Sequence, residues 1–206
     1  MNEHEMRMMK AIQRKMRRRI LWGAIVLAVI VGTSYFFVWY SKRPVNIPGE
    51  TYAELSRDHV SLDHQDTYNS NPPSSGPHYP SPANWGAYDY EVADKIFIHN
   101  LEHGGIWISY KPTVAPAVVD GLKSVMKEFS DYKLVMAPRS ANDADVAVAA
   151  WAHVYKFNLK DPTQLSPEEK KSIEKFYYAL KDHGPEYVPG NMPGVDPKDV
   201  GGALKP

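Results

Sequence analysis

The sequence predicts an α+β fold: one N-terminal transmembrane helix, then one extracytoplasmic domain of ββαββα type with a long proline-rich loop. Three observations predict it. Ile20 to Tyr40 runs for 21 residues without a charge. Asn71 to Pro82 holds five prolines, which excludes helix and inner strand there. From Lys95 onward, short β-branched and aromatic runs alternate with stretches of helical period.

The chain has 206 residues, 43% of them hydrophobic and 23% charged, the composition of a globular domain once the termini are set aside. A net charge of zero conceals an asymmetry. Met1 to Arg19 carries seven Lys/Arg against two Glu, whereas Ser41 to Pro206 carries 17 Lys/Arg against 22 Asp/Glu. The apolar run between them, as a helix, spans roughly 31 Å, the thickness of a hydrocarbon core. Trp22 lies near one end, and Tyr35, Trp39 and Tyr40 near the other, where aromatic rings favour the interface. The cluster Arg14, Lys15, Arg17, Arg18, Arg19 outweighs Lys42 and Arg43, which keeps residues 1–19 cytoplasmic and puts Ser41 onward outside the cell membrane. A cleaved signal peptide is disfavoured, since its apolar core is shorter and no A-x-A-like site precedes Ser41.

The organisation that follows is a basic tail at 1–19, a transmembrane helix at 20–40 that meets the bilayer, and a linker at 41–50. An α+β domain covers 51–184, and a Pro/Gly-rich tail, irregular with a mobile end, covers 185–206. The mildly acidic outer domain excludes a nucleic-acid partner, which demands a basic face. No cysteine is present, so there is no disulfide framework, thiolate site or Cys nucleophile.

Within the domain, KIFIH (Lys95 to His99) and GIWISY (Gly105 to Tyr110) read as two strands joined by a turn. Pro116 opens a helix with the stripe Val118, Leu122, Val125, Met126, Phe129. KLVMA (Lys133 to Ala137) is a short strand. Asp145 to Phe157 alternates as one long central strand, with Val146, Val148, Ala150 and Ala152 on one face. Ser166-Pro167-Glu168-Glu169 is a capping-box start, and the helix it opens buries Ile173, Phe176, Tyr177 and Leu180 before Gly184.

The chemistry gathers in two short segments. His99-Asn100-Leu101-Glu102-His103 has the H-x-x-E-H order of inverse zinc proteases. The strand-like run before it and Gly104-Gly105 after it argue for a tight turn in place of the helix that motif requires. Glu169, Glu174 and Glu186 are unspecific candidates for the distant glutamate ligand it also requires. A tight turn still aims two imidazoles into one pocket, and three histidines with a carboxylate suit zinc or copper without cysteine. His78, in SSGPHY, is a third ligand or proton carrier. The bland alternative is that Glu102 and His103 bond backbone groups of the turn. His64, His153 and His183 have sufficient bland roles, and Met126 and Met136 are packing residues before they are copper ligands. No nucleophile elbow, phosphate loop or dinucleotide fingerprint is present.

PPSSGPHY (Pro72 to Tyr79) and HNLEHGG (His99 to Gly105) resemble the hallmarks of a family of membrane-anchored, extracytoplasmic bacterial and archaeal proteins of unknown function. The resemblance extends from His59-Val60 through Trp151 to His183-Gly184-Pro185-Glu186. It implies no activity, but it raises the weight of His78, His99, Glu102 and His103 and adds His59. The expected site is therefore a transition-metal centre on His78, His99 and His103, with Glu102 as fourth ligand or as orienting partner, and with His59 as a further ligand. Two other functions stand beside a metal-binding module: a metal-dependent hydrolase with Glu102 as general base, and a structural or partner-binding envelope domain without metal.

Overall fold

The computed structural model describes residues 3–41 and 46–204. The linker expected over 41–50 lies partly outside the described residues. The chain forms two compact units, Met1–Asn46 and Ile47–Pro206. The first is a single helix, α1 (Glu3–Ser41), whose stretch Met6–Trp39 is long and apolar enough to cross a membrane. No proline interrupts it, and Thr33 Oγ1 folds back onto the carbonyls of Val29 and Ile30.

The second unit is built on a six-stranded mixed sheet. Its strands are β1 (Glu50–Thr51), β2 (Gly86–Ala87), β3 (Ile106–Tyr110), β4 (Leu134–Pro138), β5 (Val146–Ala150) and β6 (His153–Phe157), in the order β1-β6-β5-β3-β4-β2. β3 runs parallel to β4 and antiparallel to β5. The helices are α2 (Asp94–Glu102), α3 (Pro116–Glu128) and α4 (Pro167–Leu180). One sheet face (Ile106, Ile108, Leu134, Met136, Val146, Val148) packs on Val118, Leu122 and Val125 of α3 and on Ile173 and Phe176 of α4. The capping box is made as expected: Ser166 Oγ accepts from the Glu169 amide, and Glu169 Oε2 accepts from the Ser166 amide.

The opposite face carries Trp107, Val135, Ala137, Ala149 and Val154 against Ile96, Phe97, Ile98 and Leu101 of α2. Here the expected element order is corrected, because Lys95 to His99 is helix, not strand. The four apolar side chains of α2 are fully buried, each worth about 1.5–3 kcal/mol. That outweighs the at most about 0.7 kcal/mol per residue by which β-branched and aromatic residues disfavour helix. A helix buried on every side loses the polar stripe that would identify it from sequence.

A second correction concerns Asp145 to Phe157, which is a hairpin of β5 and β6 with Ala150 opposite His153. Ala152, at φ 59° in the left-handed region, turns the chain. Val146, Val148 and Ala150 share one face as expected, while Ala152 joins the other core. The segment after Gly184 is irregular and lies against the domain: the Val195 amide donates to Pro82 O, and the Leu204 amide to Glu91 O.

Candidate metal centre

α2 fixes half of the site. Asp94 in its first turn takes a bidentate pair from Arg139, both contacts at 2.8 Å, where a carboxylate also suits the helix dipole. At the other end Lys133 Nζ, itself buried, donates to His103 O at 2.9 Å, and the Glu186 amide donates to Glu102 O at 3.1 Å. The orphan carbonyls of the helix end thus have partners. Asn100 is fully buried and reads the backbone of Ala83 in both directions, its Oδ1 accepting from the amide and its Nδ2 donating to the carbonyl, each at 2.9 Å. Gly104 closes the helix at φ 74°, where an added Cβ would meet Asp182 Cα at 2.8 Å.

The proline-rich loop fixes the other half. Ser74 and Ser75 are fully buried. Ser74 O accepts from the Ala152 amide, and Ser75 Oγ accepts from the Leu55 amide. Gly76, at φ 122°, turns its carbonyl toward His78 Nδ1 at 2.8 Å. The His59 segment is laced to this loop through Val60 N to His78 O and His78 N to Asp58 O, at 2.8 and 3.0 Å.

The structure brings four side chains together: His59, His78, His99 and Glu102 each place one donor atom within 4.8 Å of the others. The rings of His59 and His99 stack with centroids 5.1 Å apart, and His78 stands edge-on to both. His78, His99 and Glu102 are buried, and His59 is exposed. The expected convergence of His103 with His78 is not what forms. His103 instead makes a second group with His99 and Glu186, again within 4.8 Å. Its Nε2 lies 3.1 Å from His99 Nε2 and 3.2 Å from Glu186 Oε2. Helix geometry explains the split. Successive residues project about 100° apart, so Glu102 faces the His78 loop while His103 shares the His99 side.

A carbonyl oxygen only accepts, so the tautomers follow from the bonds. His78 donates from Nδ1 to Gly76 O, and His99 donates from Nδ1 to Tyr79 O at 2.7 Å. In a neutral ring each Nε2 then offers a lone pair. His78 Nε2 stands 3.0 Å from Glu102 Oε2, two acceptors that require a proton or a cation between them. Backbone-anchored histidines of this kind are the arrangement that presents imidazole to metals.

Burial pushes the His99 imidazole down to about 4, against the opposing pull of the Tyr79 carbonyl. Burial also lowers His103, which Glu186 resists. For Glu102 burial acts upward, but the hydrogen bond and charge of His78 prevail and hold the carboxyl below its usual range. Both rings are therefore in their metal-binding form at neutral pH.

The remaining expectations are placed as follows. Glu169 is consumed by the capping box and the Lys160 amide. His64 pairs with Asp66 at 2.9 Å. His153 and His183 bond backbone carbonyls through Nδ1. Of the three unspecific candidates for a distant glutamate ligand, Glu186 is the one that joins His99 and His103. Arg57, whose Nε is 4.0 Å from Glu102 Oε1, is a neighbour for which the sequence carries no signal.

A family model described as "Protein of unknown function (DUF3105)" matches residues 59–188. That span contains every side chain of both groups. No curated protein and no solved structure matches the chain.

Proposed function

We propose that this chain, which belongs to the DUF3105 family of proteins of unknown function, is a membrane-anchored metal-binding protein. In this reading α1 crosses the cell membrane, the N-terminal basic residues stay in the cytoplasm, and the domain from Ile47 onward lies outside. His59, His78, His99 and Glu102 hold a transition-metal ion, zinc or copper. The observation that carries the reading is that His78 and His99 both spend Nδ1–H on backbone carbonyls, that His78 turns Nε2 to the buried Glu102 carboxylate, and that all of these with His59 bring one ligand atom each within 4.8 Å of the others. Held this way, the rings lose little freedom on binding, and their donor set of three nitrogens and one oxygen suits either metal.

The test is titration of the full chain in detergent with zinc or copper, after treatment with a chelator. Saturable binding of one ion per chain is expected, and a chain that takes up neither metal would refute the reading. For topology, protease added to intact spheroplasts should digest the domain, and complete protection would refute its placement outside.

A metal-dependent hydrolase is favoured by one observation. His99 in α2 and His103 at its C-cap lie one helical turn apart, with Glu186 beside them, which gives most of the H-x-x-E-H order the helical context it requires. Against it, Glu102, the general base of that scheme, is engaged by His78 at 3.0 Å. Peptide hydrolysis that Glu102→Gln abolishes would establish this second reading.

A further inference from the structure

The two ligand groups overlap at a single atom. His99 belongs to both, and its Nδ1–H is held by Tyr79 O at 2.7 Å, which leaves Nε2 alone to bind. One lone pair serves one ion. The two groups therefore exclude each other even though their other members differ.

Their carboxylates differ in depth, while His59 of the first group reaches the surface. The carboxylate of the first group, Glu102, is 6% exposed, whereas that of the second, Glu186, is 53% exposed. His103 and Glu186 are held at the same helix end by the Glu186 amide on Glu102 O, so both groups are fixed to one frame and neither needs a domain movement to form.

We infer that the chain carries one transition-metal ion as cargo in two alternative positions, an outer one on His99, His103 and Glu186 and an inner one on His59, His78, His99 and Glu102. The inference rests on the proposed metal binding and adds a direction to it. Cargo arrives at the exposed carboxylate and moves inward by ligand exchange. The bonds to His103 Nε2 and Glu186 Oε2 break as those to His59, His78 and Glu102 form. His99 Nε2 stays bound throughout. No electron is transferred. Binding at the outer position displaces the proton that His103 Nε2 holds between the acceptors His99 Nε2 and Glu186 Oε2. As the ion moves inward a proton returns to His103, and the one that His78 and Glu102 share in the empty site leaves to solvent.

The experiment uses the full chain in detergent and zinc alone, with stoichiometry from titration calorimetry and rates from stopped-flow mixing with a chelating dye. Wild type should bind one ion. His103→Ala with Glu186→Gln should still bind one ion but take it up severalfold more slowly. His78→Ala with Glu102→Gln should still bind one ion at the outer position and surrender it to the dye faster. Far-ultraviolet circular dichroism checks that each variant is folded. Two independent ions per wild-type chain would overturn the mutual exclusion while leaving metal binding intact. Unchanged uptake in His103→Ala/Glu186→Gln would overturn the outer position. Failure of wild type to bind any zinc or copper would remove the underlying reading instead.

Discussion

The backbone amide of Glu186 donates to the carbonyl of Glu102 at 3.1 Å, which pins two carboxylates from distant parts of the sequence to one helix end. Gly184 makes this possible. A Cβ there would stand 2.2 Å from both Glu102 O and Gly104 N, and neither backbone atom is free to yield. Gly184→Ala should destabilise the domain by about 1–3 kcal/mol, the usual cost of overpacking, read as a lower urea midpoint. An unchanged midpoint would mean that the segment is not clamped to α2.

Arg57 reaches over Glu102 with its side chain 56% exposed. Its charge competes with any cation for the same carboxylate, but solvent screens it and such pairs are worth at most about 1 kcal/mol. Arg57→Ala should therefore tighten zinc or copper binding by no more than about fivefold, with the gain shrinking as salt is added. Weaker binding in that variant would place Arg57 among the groups that support the ion.

The acid response of the metal-free chain follows from His99. Folded, its imidazole titrates at about 4 because of burial; unfolded, it returns to about 6.5. Between those values the unfolded chain holds a proton that the folded one does not, so stability falls as pH falls through this window and is complete above it. Urea midpoints measured from about pH 7 down to about pH 4.5 should decline in the wild type and decline less in His99→Gln. A wild-type midpoint that rises on acidification would contradict this sign.

Much of the frame was readable from residues alone because its signals are local. Pro116, the Ser166 to Glu169 box and the stripes of α3 and α4 each specify a helix start or a buried face without help from distant chain. KIFIH was not readable that way. Ile96, Phe97 and Ile98 are β-branched or aromatic, and only burial between the sheet and the proline-rich loop makes them a helix. The same ambiguity hides the helical context of His99 and His103. Trp151-Ala152 was missed because alternation of small and β-branched residues continues through the turn, and the positive φ of Ala152 falls on a residue that does not advertise it.

The site divides along the same line. His78, His99 and Glu102 stood out by concentration, and the structure brings them together with His59. Which histidine faces which carboxylate depends on the rotation of α2 and on the docking of the Glu186 segment. Neither leaves a mark in spacing.

His99 is the member common to both ligand groups, so its removal is the most direct measurement. Zinc and copper titrations of the full chain in detergent should show one ion bound by the wild type. In His99→Ala the affinity should fall by more than the about 10- to 100-fold that loss of an outer supporting group costs, with the circular dichroism of the fold retained. Undiminished affinity in a folded His99→Ala chain would contradict the metal centre.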